Sequence, residues 1–185
     1  EAEQLFRETL AIYREALGED HFLTISCLNN LGLLYQDIRR YEEAEALHEQ
    51  SLRLLRLGEE NEIAYATTLN NLASAKRGQG NLAGVESLLK EALAIYERVL
   101  GTEHSLYAYG LNNLAAYYSA AGDYEQAEEL YRQSLLLCRN LFGCHSRNYT
   151  VALTNLAETL AKMEQHEEAD GLCREAQELR AGKNS

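Results

Sequence analysis

The chain of 185 residues contains no proline. At an average usage of about 5%, a chain of this length carries roughly nine, so the absence points to few rigid turns and to long helices. Twelve glycines are left to punctuate the sequence. Basic residues are also scarce: 17 Lys and Arg stand against 29 Asp and Glu, for a net charge of −12. Such a balance argues against a surface that neutralises phosphates or lies on anionic lipid, so neither nucleic acid nor membrane is an expected partner. No apolar run approaches the roughly 18 to 20 residues that a membrane helix needs, and the opening EAEQLFRETL lacks the basic and apolar parts of a signal peptide. A cytoplasmic setting is the resulting expectation. The first residue is Glu rather than Met, and the chain reads as a fragment of something longer. The four cysteines form no Cys-x-x-Cys pair, and no glycine-rich phosphate loop, nucleophile elbow or paired-carboxylate site stands out. Neither an enzyme nor a cofactor is expected.

What the sequence does contain is a repeat. Leu28-Asn29-Asn30-Leu31 returns as Leu69-Asn70-Asn71-Leu72, Leu111-Asn112-Asn113-Leu114 and Leu153-Thr154-Asn155-Leu156, at spacings of 41, 42 and 42. A second ladder, Ala2, Ala44, Val85, Ala127 and Ala169, runs in step with it, each followed three residues later by Leu5, Leu47, Leu88, Leu130 or Leu172. The one-residue slip falls in the loop Gly58-Glu59-Glu60-Asn61, where deletions are tolerated. Within a unit the apolar period is helical: Leu111, Leu114, Ala115 and Tyr118 stripe one face and predict a helix over 105–121. Gly122 and Asp123 suit a left-handed C-cap and an N-cap, and Ala127, Leu130, Tyr131, Ser134, Leu135 and Cys138 predict a second helix over 124–142. Each unit is therefore two antiparallel helices, A and B. The chain opens in a B helix (1–17) whose A partner is missing, and continues through four pairs. The expected boundaries are 1–20 for the truncated unit, then 21–59, 60–101, 102–143 and 144–185.

These residues resemble the tetratricopeptide repeat, in the roughly 42-residue form of kinesin light chains and many bacterial signalling proteins. The Leu-Asn-Asn-Leu-Ala segment, the pairs Tyr41/Ala44 and Tyr124/Ala127, the Ala-Leu-x-Ile-Tyr run from Ala92 to Tyr96, and the linkers Leu17 to His21 and Leu100 to His104 carry the likeness over nearly the whole chain. The family usually follows the linker His with Pro, whereas Phe22, Ser105 and Ser146 follow His21, His104 and His145 here. The resemblance implies a right-handed α-solenoid, all-α, in which stacked pairs bury what one pair cannot. It also implies that A helices line a concave groove holding an extended or helical peptide. Carried over by column, groove positions are Ser26, Asn29, Asn30, Leu33, Gln36 and Asp37 in the first repeat. The second supplies Thr67, Asn70, Asn71, Ser74 and Arg77; the third Tyr109, Asn112, Asn113, Ala116 and Ser119; the fourth Val151, Thr154, Asn155, Glu158 and Lys162.

Seven Asn at matched mid-helix sites need an explanation, since Asn is a middling helix former. Two readings stay open. A column of carboxamides can pair with a peptide backbone whatever its side chains, or one Asn of each pair can bond across to the neighbouring repeat. Over 22–38, 63–79, 105–121 and 146–162 the charged residues are Asp37, Lys76, Arg77, Arg147, Glu158 and Lys162, a net of +2 against −14 elsewhere. A neutral to mildly acidic protein or peptide ligand fits such a groove, and the dense Lys and Arg of a carboxylate clamp are lacking.

The remaining singular residues read as structural. By alignment Cys27, Cys138 and Cys173 fill core sites, free Cys packing as a small hydrophobe. Cys144 with His145 lies in a linker, with metal binding beside Cys138 as the rival reading. His21 and His104 cap or join helices; Tyr65, Tyr107 and Tyr149 pack between repeats, while Tyr109 is placed to stack on a ligand. The last B helix (167–180) carries Gln177 and Arg180 where other units have Leu or Tyr, as in a capping unit, and the end from Ala181 to Ser185 is expected to fray. The expected function is a protein-interaction module. Its rivals are the regulatory region of a larger multidomain enzyme or signalling ATPase, and a scaffold that self-associates through the truncated first unit rather than staying monomeric.

Overall fold

The structure, a computed structural model, describes residues 1–55 and 62–181. The slipped loop at 58–61, the boundary at 59/60, residues 182–185 and the Arg180 side chain lie outside the described residues. Among the described residues there are nine helices and no strand: α1 (Ala2–Leu17), α2 (Phe22–Asp37), α3 (Tyr41–Leu55), α4 (Glu62–Gly78), α5 (Val85–Leu100), α6 (Ser105–Ala121), α7 (Tyr124–Phe142), α8 (Arg147–Lys162) and α9 (His166–Ala181). The helices expected at 105–121 and 124–142 are α6 and α7, and the opening B helix is α1. No described helix is long and apolar enough to cross a membrane.

Caps made by side chains set the helix starts. Nδ1 of His21 accepts from the Leu23 backbone N–H at 3.2 Å, and Nδ1 of His104 accepts from Leu106 at 3.1 Å, both from extended backbone. A ring nitrogen thus does at α2 and α6 what a Ser or Asp oxygen does at most N-caps. At α8 the cap is Ser146, whose Oγ accepts from Tyr149 at 3.2 Å. Ser146, not His145, lies 42 residues after His104, and His145 is exposed; the linker alignment of His145 with His21 and His104 is corrected accordingly. Gly122 ends α6 in the left-handed region at φ 88°, and Asp123 caps α7 through Gln126.

The chain divides into two compact units, residues 1–95 and 96–185. In the first, α2 packs against α1, α3 and α4 around Leu10, Cys27, Leu28, Leu31, Tyr35, Ala44 and Ala75. In the second, α6 and α8 pack on α7, and α8 on α9. One cluster there gathers Ala115, Ala127, Tyr131, Leu156, Leu160 and Ala169, and another Ala108, Cys138, Tyr149, Leu153 and Ala176. Each A helix is thereby buried on several sides, while the B helices keep a solvated face. Cys27 and Cys138 are buried as expected, but Cys173 is exposed. Its column is filled by a buried side chain only where another A helix follows, as Tyr131 on α7 meets Leu156 and Leu160 of α8. No described helix follows α9. At the other end Leu5 and Ile12 are 59% and 62% exposed on α1, whereas Leu47 and Leu54, in the same columns of α3, pack on the core.

Candidate functional site

In the first unit the Asn ladder is tied into a polar network. Asn29 on α2 donates from Nδ2 to Oγ1 of Thr68 on α4 at 2.8 Å, and its Oδ1 lies 3.0 Å from Nδ1 of His48 on α3. The other ring nitrogen, Nε2, lies 2.9 Å from Nε2 of Gln36, whose amide also donates to the Asn71 carbonyl at 3.3 Å. Thr68 in turn donates to the Ala64 carbonyl at 2.8 Å. The partners fix the tautomer: Oδ1 can only accept and the Gln36 amide nitrogen can only donate, so His48 is neutral with its proton on Nδ1. The ring is fully buried, and burial pushes its pKa down to about 4. Space for it comes from Gly32, where a Cβ would stand 2.6 Å from His48 Cε1. The columns of Gly32 and His48 hold Ala73 and Leu89, then Ala115 and Tyr131, then Ala157 and Cys173 in the later repeats. Gly with His is thus peculiar to the first pair.

In the second unit the ladder bonds directly. Nδ2 of Asn155 on α8 donates to Oδ1 of Asn112 on α6 at 3.1 Å. Further along the same seam Lys162 donates to Ser119 at 3.2 Å, with its ammonium 5.5 Å from the Tyr124 ring centroid. The seam between α6 and α8 is therefore polar, whereas the apolar clusters lie on the side facing α7 and α9.

Exposure sorts the expected groove residues into two groups. Asn70, Asn71 and Asn113 are buried, at 0%, 3% and 7% exposure, and Asn29 has both ends of its amide engaged. The first three are covered by the surrounding packing, and Asn29 is committed to α3 and α4. A repeat column says which way a residue points along its own helix; how closely the next helix covers it depends on packing. Asn30, Tyr109 and Lys162 are exposed, and Arg77, Asn112 and Asn155 are half-buried, so this subset stays within a ligand's reach. The positive charge counted on the A helices is also reduced. Lys76 pairs with Glu45 of α3 at 2.7 Å, and its partner's carboxyl is held below the usual range by that hydrogen bond.

Tyr149 packs between repeats as expected, in the cluster with Ala108, Cys138 and Ala176, and its hydroxyl donates to Glu175 at 2.9 Å. Burial raises its pKa to about 12. Tyr65 makes the same bond to Glu91, also 26 residues on, at 3.2 Å. A cavity of about 190 Å³ opens in the second unit, lined by Ser105, Ala108, Tyr109, Asn112, Ser134, Cys138, Asn148 and Val151. His48, Gly32 and Asn148 had no place in the sequence-level site. The signal that could have found them is the departure of each from its own column: His among Leu, Tyr and Cys; Gly among Ala; Asn among Leu and Ala.

The tetratricopeptide repeat family model matches residues 1–56, 64–139 and 108–181. Among solved structures, BtubC (BKLC) from P. vanneervenii superposes with a TM-score of 0.80 at 24% identity, covering 100% of this chain and 74% of that one. A Podosopora anserina kinesin light chain candidate with nearly identical TPR-like repeats gives 0.74 at 22% identity, covering 99% and 87%. At these identities the likeness is one of fold. Regulatory protein AfsR of Streptomyces coelicolor is 32% identical over 87 residues, which is 47% of this chain and 9% of AfsR. This chain therefore corresponds to a small part of that relative's length. The repeat ladder, the helix pairs it builds and the match over most of the sequence agree, and the chain belongs to the tetratricopeptide repeat family.

Proposed function

We propose that the chain is a protein-interaction module that captures a peptide or helical segment on its A-helix faces, without catalysis and in the cytoplasm. The observation that carries this reading is where large apolar side chains remain uncovered on A helices. Leu33 on α2, Tyr109 on α6 and Val151 on α8 are 38%, 40% and 39% exposed, beside the accessible carboxamides of Asn30, Asn112 and Asn155. Mixed apolar and carboxamide surface suits a peptide, whose backbone needs hydrogen-bond partners and whose side chains need contact area. α6 carries no charged residue at all, so the ligand segment it meets is near neutral; Arg77 and Lys162 admit a mild acidity beyond it. A phage-displayed library of random decapeptides tests the reading, with the bound surface mapped by amide shifts. Capture with shifts at Tyr109, Val151 and Asn155, or at Asn30 and Leu33, supports it. No capture, or shifts confined to the outer faces of α7 and α9, refutes it.

A second reading is favoured by the AfsR match: the repeats act inside a larger regulatory protein, binding a segment of the same polypeptide. Binding of this chain to separately produced flanking segments of its own polypeptide, with no enrichment of library peptides, distinguishes it from the first.

A further inference from the structure

We propose that the cavity enclosed by α6, α7 and α8 is a side-chain pocket for one aliphatic residue, of leucine or isoleucine size, in a bound extended peptide. It rests on the peptide-capture reading and gives that reading a residue preference. The volume, about 190 Å³, is adequate for such a side chain, since an apolar cavity of about 150 Å³ already admits benzene. The floor is Ala108, Ser134 and Cys138, all buried. Ser134 donates its hydroxyl to the Ala108 carbonyl at 2.9 Å, so the floor demands no polar partner from an occupant. Burial raises the Cys138 pKa and keeps the thiol neutral. None of the eight lining residues carries a charge, and a charged occupant would lose its water with nothing to replace it.

The rim supplies the other half of peptide recognition. Tyr109 and Val151 flank the mouth with exposed apolar surface. Asn112 uses Oδ1 to accept from Asn155, and its Nδ2 has no hydrogen-bond partner among the described residues; nor has the exposed Asn148 side chain. Two carboxamides beside an apolar hole fit one extended residue, whose side chain fills the hole while its N–H and C=O meet the amides. Two departures from the repeat meet at the pocket: at its floor Cys138 stands where Tyr13, Leu55 and Tyr96 fill the column, and at its rim stands Asn148. Asn148 stands in the column of Leu23, Ala64 and Leu106, and Leu23 and Leu106 are half-buried. A polar, exposed residue in one column and a small thiol in the other leave the space between them unfilled.

The test is an NMR titration of the chain with N-acetyl-leucine N-methylamide, alongside the alanine, glutamate and lysine counterparts. Saturable shifts at Ala108, Tyr109, Cys138 and Val151, with the leucine probe binding at least about tenfold tighter than the glutamate and lysine ones, support the proposal. Asn148→Leu restores the column residue and should abolish those shifts while leaving thermal unfolding unchanged or raised. Val151→Lys, a change at an exposed site, should do the same by charging the mouth. The proposal is overturned by no saturable shift at these residues, by equal binding of the glutamate probe, or by unaltered leucine binding in both variants. The library experiment separates the two claims. Peptides captured equally by wild type and Asn148→Leu keep the interaction module and overturn the pocket, whereas failure to capture any peptide overturns the module.

Discussion

Lowering the pH from 7 to 5 should destabilise residues 1–95 through one imidazole. His48 is held neutral between an acceptor and a donor, with a pKa near 4 in the fold against an ordinary value of 6.5. Because the folded pKa is depressed, the unfolded chain binds the extra proton more readily between those values. The contribution is present in full above about pH 6.5 and is lost as pH falls towards 4. At pH 5 the two pKa values give a loss of about 2 kcal/mol, or roughly 4–8 °C in Tm for a chain of this size. The carboxylates of Glu3, Glu43 and Glu45 are pulled below their ordinary 4.5, chiefly by hydrogen bonds from Tyr35, Arg40 and Lys76, so their support fails at lower pH still. The decisive comparison is with the double variant Gly32→Ala, His48→Leu, which rebuilds the Ala73 and Leu89 pair of the next repeat. Differential scanning calorimetry at pH 7, 6 and 5 should show Tm of the wild type falling relative to the variant. Parallel Tm profiles over that range, or a His48 resonance titrating near pH 6.5, would refute the reasoning.

Gly32→Ala alone drives a methyl to 2.6 Å from the buried ring and should cost about 1–3 kcal/mol in urea unfolding; added to His48→Leu and measured against that single variant, it should cost little. Asn112→Ala removes the bond from Asn155 and should cost about 1 kcal/mol, while Asn30→Ala at an exposed site should stay within about 0.5 kcal/mol of neutral. Thermal unfolding followed by circular dichroism checks both, and equal effects would show that the bond between Asn112 and Asn155 adds nothing to stability.

The fold was legible because a repeat is a self-consistency test. Three copies of Leu-Asn-Asn-Leu and the related Leu153-Thr154-Asn155-Leu156, in step with the Ala and Leu ladder, gave helix type, pairing and the helices over 105–121 and 124–142 from periodicity alone, and Gly122 with Asp123 marked a turn that needs a left-handed residue followed by a cap. Linker histidines were legible as caps for the same reason, except at α8, where His145 next to Ser146 drew the alignment one residue off. The candidate site was legible only as a set of columns. Asn30 and Asn71 share a column, yet one is exposed and the other buried, and the column itself does not tell them apart. Period reports the direction of a side chain and is silent on what lies opposite.

That division runs through the whole protein. The sequence by itself determined an all-helical repeat of the tetratricopeptide type, the acidity of its B helices and linkers and the near-neutral A helices, since each is read from residue types at repeated positions. Tertiary structure decided that Asn29 reaches Thr68 and His48, that Asn112 pairs with Asn155, and that an uncharged hollow lined by Asn148, Ser134 and Cys138 opens beside α6. The bonds turn on distances of about 3 Å between residues 19, 39 and 43 apart in the chain. A hydrogen bond or a cavity is made or lost within a fraction of an ångström, a precision that column positions do not carry.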